Sequence, residues 1–291
     1  PEPVVSTTLD ATVCSDIAVG LTLNTNGSSV AAANYNVTAI SPAVGLIAAG
    51  TNAIPANGVA ANYLASDLFT NPTGTPLTVS YTVAGVSAAG CVGNARVITM
   101  TINPEPVIST TLDATACSDL AIGLTLNTNG VSVAAASYDV TAMSIAVGLV
   151  PAGTNAAIPA LGVASNYLTA DKFTNTGAVP LAVTYTVRAT SGAGCLGDAR
   201  VITIMIAPEP VVSNVLNLTQ CSDLATGLVL NTNGISVPAS TYNITAITVA
   251  GGLTTVVGNA VVPASGVAAN YLAGDLFTNT GGVSQIGRAH V

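Results

Sequence analysis

The chain has no tryptophan, one lysine and one histidine among 291 residues, and only 6% of its side chains are charged. Each shortage removes a class of function. A protein that holds duplex nucleic acid displaces counterions with several Lys or Arg side chains. Here Lys and Arg number 5 against 13 Asp and Glu, a net charge of -8, which argues against nucleic acid as a partner. General acid–base catalysis needs a group that titrates near neutrality. The single histidine, His290, lies in a terminal stretch that departs from the rest of the chain. No Ser-His-Asp or Cys-His device can then be assembled, and the chain reads as a non-enzyme. Without tryptophan, a sugar-stacking platform would have to rest on tyrosine alone. No run of apolar residues is long enough to span a bilayer. The longest weakly polar stretch, 40–65, is broken by Ser41, Pro42, Thr51, Asn52 and Pro55, so no membrane insertion is expected.

What the chain does have is repetition. Pro1-Glu2-Pro3-Val4, Pro104-Glu105-Pro106-Val107 and Pro208-Glu209-Pro210-Val211 each open a copy of the same text. The copies divide the chain into repeats at 1–103, 104–207 and 208–284, the third of them truncated. Residues 285–291 (Gln285 to Val291) read as a non-native tail, similar to translated adapter sequence. The second copy continues at this point as Leu181-Ala182-Val183-Thr184-Tyr185, a pattern the third abandons. The expected native protein is longer and exported. Its surface is built from Thr, Ser, Asn, Gly and Ala, which suits an extracellular protein.

Turn residues are dense and helix signals scarce. Val4 to Thr8 reads as a first strand. Gly20 to Asn24 alternates and runs into Asn26-Gly27, a hairpin signal. Tyr35 to Ile40 alternates again, Leu77 to Val83 is the cleanest strand, and Arg96 to Ile102 closes the unit. Val59 to Phe69 carries no clear period. About seven short strands in one hundred residues predict a tandem array of immunoglobulin-like antiparallel β-sandwiches. The tyrosines and phenylalanines recur at equivalent positions, as core residues would.

Each full repeat carries one early and one late cysteine. One disulfide per repeat is expected, Cys14–Cys91 and Cys117–Cys195, with Cys221 unpaired because the third repeat is truncated. Buried free thiols and a cross-repeat Cys91–Cys117 bridge remain as alternatives. Such bridges imply an oxidising compartment. If they form, the recurring acid two residues past each early cysteine reaches the recurring arginine, giving ion pairs Asp16–Arg96 and Asp119–Arg200. Asp67, Asp171 and Asp275 precede phenylalanine in a turn-like stretch. A sharper reading is calcium at the domain junctions, held by linker acids Glu105 and Glu209 with loop acids Asp16, Asp67, Asp119 or Asp171. No other cofactor is suggested.

Several segments carry a family likeness. Cys14-Ser15-Asp16, Phe69-Thr70-Asn71-Pro72-Thr73-Gly74, Pro76 to Val83, and Gly90-Cys91-Val92-Gly93 with the strand leading to Pro104-Glu105-Pro106 resemble the PKD-like, immunoglobulin-type repeats of large secreted surface proteins of Bacteroidetes-type bacteria. The Trp-Asp-Phe-Gly-Asp-Gly signature of typical PKD domains is absent. The resemblance implies a non-catalytic module with no catalytic residues to carry over. The function expected is an extracellular stalk or spacer whose partners are its neighbouring repeats. The alternatives are a loop-mediated glycan- or protein-binding adhesin, and accessory domains of a secreted hydrolase.

Overall fold

The computed structural model describes residues 1–285 and 287–290. The first repeat forms β1 (Ala11–Cys14), β2 (Asn34–Pro42), β3 (Ile47–Ala48), β4 (Ala56–Val59), β5 (Phe69–Thr70), β6 (Leu77–Val86) and β7 (Arg96–Asn103). The second copies it as β8 (Ala114–Cys117), β9 (Ala135–Ile145), β10 (Val150–Pro151), β11 (Ala160–Val163), β12 (Phe173–Thr174), β13 (Leu181–Ser191) and β14 (Arg200–Ala207). The third carries β15 (Tyr242–Ile244), β16 (Ala246–Val249), β17 (Leu253–Thr255), β18 (Ala264–Val267), β19 (Phe277–Asn279) and β20 (Gly287–His290). The fold is all-β, as expected.

A five-stranded sheet, ordered β1-β7-β6-β2-β4, forms one layer of the first repeat, and the second repeat has its equivalent. Alternation along β6 turns Val79, Tyr81 and Val83 inward, where none is solvent-accessible, and Ile98, Met100 and Ile102 of β7 join them. The opposite layer is thinner: the β3–β5 pair, the extended chain from Val19 to Leu23, Leu64 and Phe69. Each buried aliphatic or aromatic side chain contributes about 2 kcal/mol, so the first two repeats each carry a core of their own. The buried cluster of the third is reduced to Leu230, Tyr242, Ile244 and Leu272.

Two expected strands take another form. Val4 to Thr8 makes a single bridge, Val5 to Thr25. Gly20 to Asn24 pairs with no strand, although Leu21 and Leu23 are buried; Leu23 N–H donates to Ala61 O and Asn24 O accepts from Ser6 N–H. Its alternation recorded burial, not ladder pairing. Asn26-Gly27 closes a loop in which the Asn26 side-chain oxygen accepts from the Ser28 and Ser29 amides. At the tail, β20 pairs with β16 in the register that β13 takes against β9: Gly287 faces Val249 as Val183 faces Ile145.

The sheet is not wholly antiparallel. β1 runs parallel to β7, with Ala11 opposite Met100 and Cys14 opposite Asn103, and β8 does the same against β14. Stringing repeats end to end explains this direction. The chain enters a repeat at one pole, where Pro3 lies against Gly93, and leaves at the other, after Asn103. The first and last strands therefore both run from entry to exit.

Candidate functional site

Strand direction decides the cysteine pairing. Cys14 ends β1 at the exit pole, whereas Cys91 precedes β7 at the entry pole. The length of β7 alone separates those poles by about 23 Å, far beyond the Cα spacing a disulfide spans. The expected bridges Cys14–Cys91 and Cys117–Cys195 are accordingly not formed. Cys14 instead joins Cys195, which sits in the β13–β14 hairpin at the entry pole of the second repeat, with Cα atoms 5.3 Å apart. The disulfide crosses the junction between repeats. Cys91, Cys117 and Cys221 are free and exposed.

The same geometry reassigns the ion pairs. Arg96 begins β7, so its guanidinium meets Asp10, just before β1, 3.2 Å away, and not Asp16. Arg200 meets Asp113 at 3.0 Å, and not Asp119. Asp10 also accepts from the Thr99 amide, and Asp113 from that of Thr203, so each acid fastens the parallel edge strand to its neighbour. Asp16, Asp119 and Asp223 adopt left-handed backbone angles near +60° and accept from Thr70, Thr174 and Thr278.

The junction between the first two repeats is a packed interface. Pro104, Glu105 and Pro106 are all buried, unlike the exposed Pro1 and Glu2. Glu105 N–H donates to Asn71 O, and Val133 N–H to Thr73 O. Asn71 organises this loop: its side-chain amide donates to Thr75 O and Ile102 O, and its backbone amide donates to Ser15 Oγ. The third repeat docks alike, through Glu209 to Asn175 and Val237 to Gly177. Gly197 lies so close beneath the linker that a Cβ there would fall 2.0 Å from Pro106 O. Gly197→Ala should therefore force the linker outward, at a cost of about 1–3 kcal/mol. Hydrogen exchange at residues 104–107 would rise, whereas unchanged protection would contradict this packing.

At this junction Asp16, Glu105 and Asp198 converge, with one carboxylate oxygen of each within 4.8 Å of the others. Glu105 is 3% exposed, and its Oε2 has no hydrogen-bond partner. Burial, contact with Asp16 and the charge of Asp198 push the Glu105 carboxyl up to about 8, with Arg188 acting in the opposite direction. Arg188 is anchored by its Nε–H donating to Gly197 O at 2.9 Å. At the second junction, burial and the Asp119 carboxylate raise Glu209, and Ser118 lowers it.

The sequence pointed to Glu105 and Asp16 but not to Asp198, which stands where the first repeat has Asn94 and gave no repeating signal. Asp67 and Asp171 lie outside the cluster, contrary to the expectation that they join a junction site. Both oxygens of Asp67 serve its own repeat: Oδ1 accepts from Ala53 N–H at 2.7 Å and Oδ2 from Tyr81 O–H at 3.0 Å. Asp171 does the same with Ala156 and Tyr185, both at 2.7 Å.

These tyrosines set a pH limit. Burial first, then the adjoining carboxylate, raises both Tyr81 and Tyr185 well above the ordinary tyrosine value. A group whose folded pKa is raised holds its proton more tightly when folded. The stability it contributes is complete below the unfolded value of about 10 and is lost as pH rises beyond it. The melting temperature should stay level towards pH 9 and fall steeply above 10. Tyr81→Phe combined with Tyr185→Phe should blunt the fall, and a slope unchanged in that variant would contradict the assignment.

Comparison with known proteins agrees with this architecture. The model of the PKD-like domain matches twice in tandem, at residues 11–106 and 114–210. The chain belongs to the PKD-like domain family. Linked by a disulfide, its PKD-like repeats are an extracellular structural repeat region. PKD-like domains are generally non-catalytic. No curated protein matches the sequence. Among solved structures, Drosophila N-cadherin EC1-4 is 14% identical over 72% of this chain and 50% of its own, with a TM-score of 0.23, so the PKD-like chain spans about half of that fragment. The sialic acid binding region of the Streptococcus sanguinis SK1 adhesin is 13% identical over 78% and 84%, at 0.21. Zebrafish RET cadherin-like domains 1 to 4 are 9% identical over 79% and 52%, at 0.18. No helix among the described residues is long and apolar enough to cross a membrane.

Proposed function

We propose that the chain is a non-catalytic spacer: a string of PKD-like repeats, at 1–103, 104–207 and from 208, that holds other modules of a surface protein apart. The observation that carries this reading is the Cys14–Cys195 bridge, which joins one repeat to the next instead of closing a repeat on itself. A domain that works alone gains nothing from such a bond, but a rod gains stiffness. Cys117, at the end of β8 at the exit pole of the second repeat, holds the place that Cys14 holds in the first. The aromatic side chains support the spacer over a glycan platform. Tyr81 and Tyr185 are wholly buried, Tyr35 and Tyr138 nearly so, and Tyr63, Tyr167 and Tyr271 donate their hydroxyls to backbone carbonyls. Glycan arrays and cell-binding assays should be silent with the chain alone. Tight, saturable binding to one glycan class would replace the spacer with an adhesin.

A further inference from the structure

We propose that Asp16, Glu105 and Asp198 form a calcium site that clamps the first repeat to the second. Two observations carry this independently. First, the three carboxylates come from three separate segments: the left-handed turn after β1, the Pro104-Glu105-Pro106 linker, and the loop after the β13–β14 turn. Their oxygens lie within 4.8 Å of one another. Oxygens bound to one calcium ion at about 2.4 Å are at most about 4.8 Å apart, so the spacing permits a shared ion. Second, Glu105 Oε2 is buried and has no donor. The other buried side-chain atoms without partners among the described residues are Nη1 of Arg96 and Arg200, cationic donors that recur in both repeats. Glu105 Oε2 is the acceptor, and it lies in the cluster.

The charges also fit. Asp16, Glu105 and Asp198 face one another, and Arg188 is the cation beside them. Once the incoming ion displaces the Glu105 proton, three carboxylates and one guanidinium leave two negative charges, which one divalent ion neutralises. Three carboxylates offer up to six oxygens. Asp16 Oδ1 already accepts from Thr70 at 2.6 Å, so water would complete the shell. Calcium tolerates such an irregular set, whereas magnesium demands a near-ideal octahedron. The site joins the same two repeats as the Cys14–Cys195 bond, giving the junction an ionic clamp beside a covalent one.

The test is calorimetric titration of calcium chloride into the chelator-stripped full chain, with melting in calcium and in chelator as a second readout. One site is expected, with Kd of about 10⁻⁴–10⁻³ M, the range of extracellular calcium modules. Asp198→Asn places in the second repeat the residue that the first carries as Asn94, so the fold tolerates it; affinity should fall at least tenfold. Glu105→Gln should abolish binding, and Glu2→Gln, in the exposed first linker, should leave it unchanged. Absence of heat at 5 mM calcium, with identical melting in calcium and chelator, would mean that the cluster is held by a carboxyl proton and would overturn the proposal. So would binding that survives both Asp198→Asn and Glu105→Gln.

Discussion

Replacing Cys14 with serine should uncouple the first two repeats while leaving each folded. The side chain lies at the end of β1, outside the buried clusters, so neither core loses a contact. What is lost is the constraint across the junction, where a disulfide contributes about 2–5 kcal/mol. The remaining attachments include the buried Pro104-Glu105-Pro106 linker, the Asn71 loop and the backbone bond from Val133 to Thr73. Interfaces of this kind permit relative motion when a covalent tie is removed. Small-angle scattering should show a broader distribution of interrepeat distances for Cys14→Ser. Mild reduction of the unaltered chain should reproduce it, with far-UV dichroism unchanged in both. Scattering curves that superimpose with and without the bond would mean that the packed linker alone fixes the angle.

Asp171→Ala should destabilise the second repeat as much as the loss of a large core side chain. Asp171 is 1% exposed, and its two oxygens satisfy Ala156 N–H and the Tyr185 hydroxyl, itself wholly buried. Alanine leaves both donors unpaired in the interior, at about 1–3 kcal/mol each. A total near 4 kcal/mol corresponds to roughly 15–30 °C in the melting temperature of a domain of this size. Tyr185→Phe should cost less, because it removes one donor and leaves Asp171 bonded to Ala156. A loss below about 1 kcal/mol for Asp171→Ala would show that the carboxylate is not the keystone of this loop. Asp275 accepts from Ala260 in the same way. It has no tyrosine at the equivalent place, because Ala289 stands where Tyr185 does, so Asp275→Ala should cost less than Asp171→Ala.

The β-sandwich and its repetition were legible because period-two alternation is strong in Leu77 to Val83 and Arg96 to Ile102, and because each signal recurs after the next Pro-Glu-Pro. The pairings across the unit were not. Cysteine counting treats each repeat as closed, and a closed unit makes Cys14–Cys91 and Asp16–Arg96 the economical choices. Both follow if the first strand runs antiparallel to the last. The parallel direction of β1 moves Cys14 and Asp16 to the opposite pole and brings Asp10 to Arg96. A signal was present in the sequence: a strung repeat must be entered at one pole and left at the other, which aligns its first and last strands. Asp198 was missed for a different reason. It departs from the repeat, with Asn94 in the matching place, so recurrence gives it no signal. Glu105 is visible in the sequence as an acid, but its burial depends on the packing of Pro106 against Gly197, which no local pattern encodes.

Disulfide mapping tests the central claim most directly. With free thiols blocked and the chain unreduced, digestion with trypsin and an aspartate-directed protease places Cys14 in residues 10–15, Cys91 in 67–96, Cys117 in 113–118 and Cys195 in 189–197. A rod stapled between repeats gives 10–15 bonded to 189–197, with the other two peptides carrying blocked thiols. Residues 10–15 bonded to 67–96, and 113–118 bonded to 189–197, would mean that each repeat is closed on itself and would contradict the account.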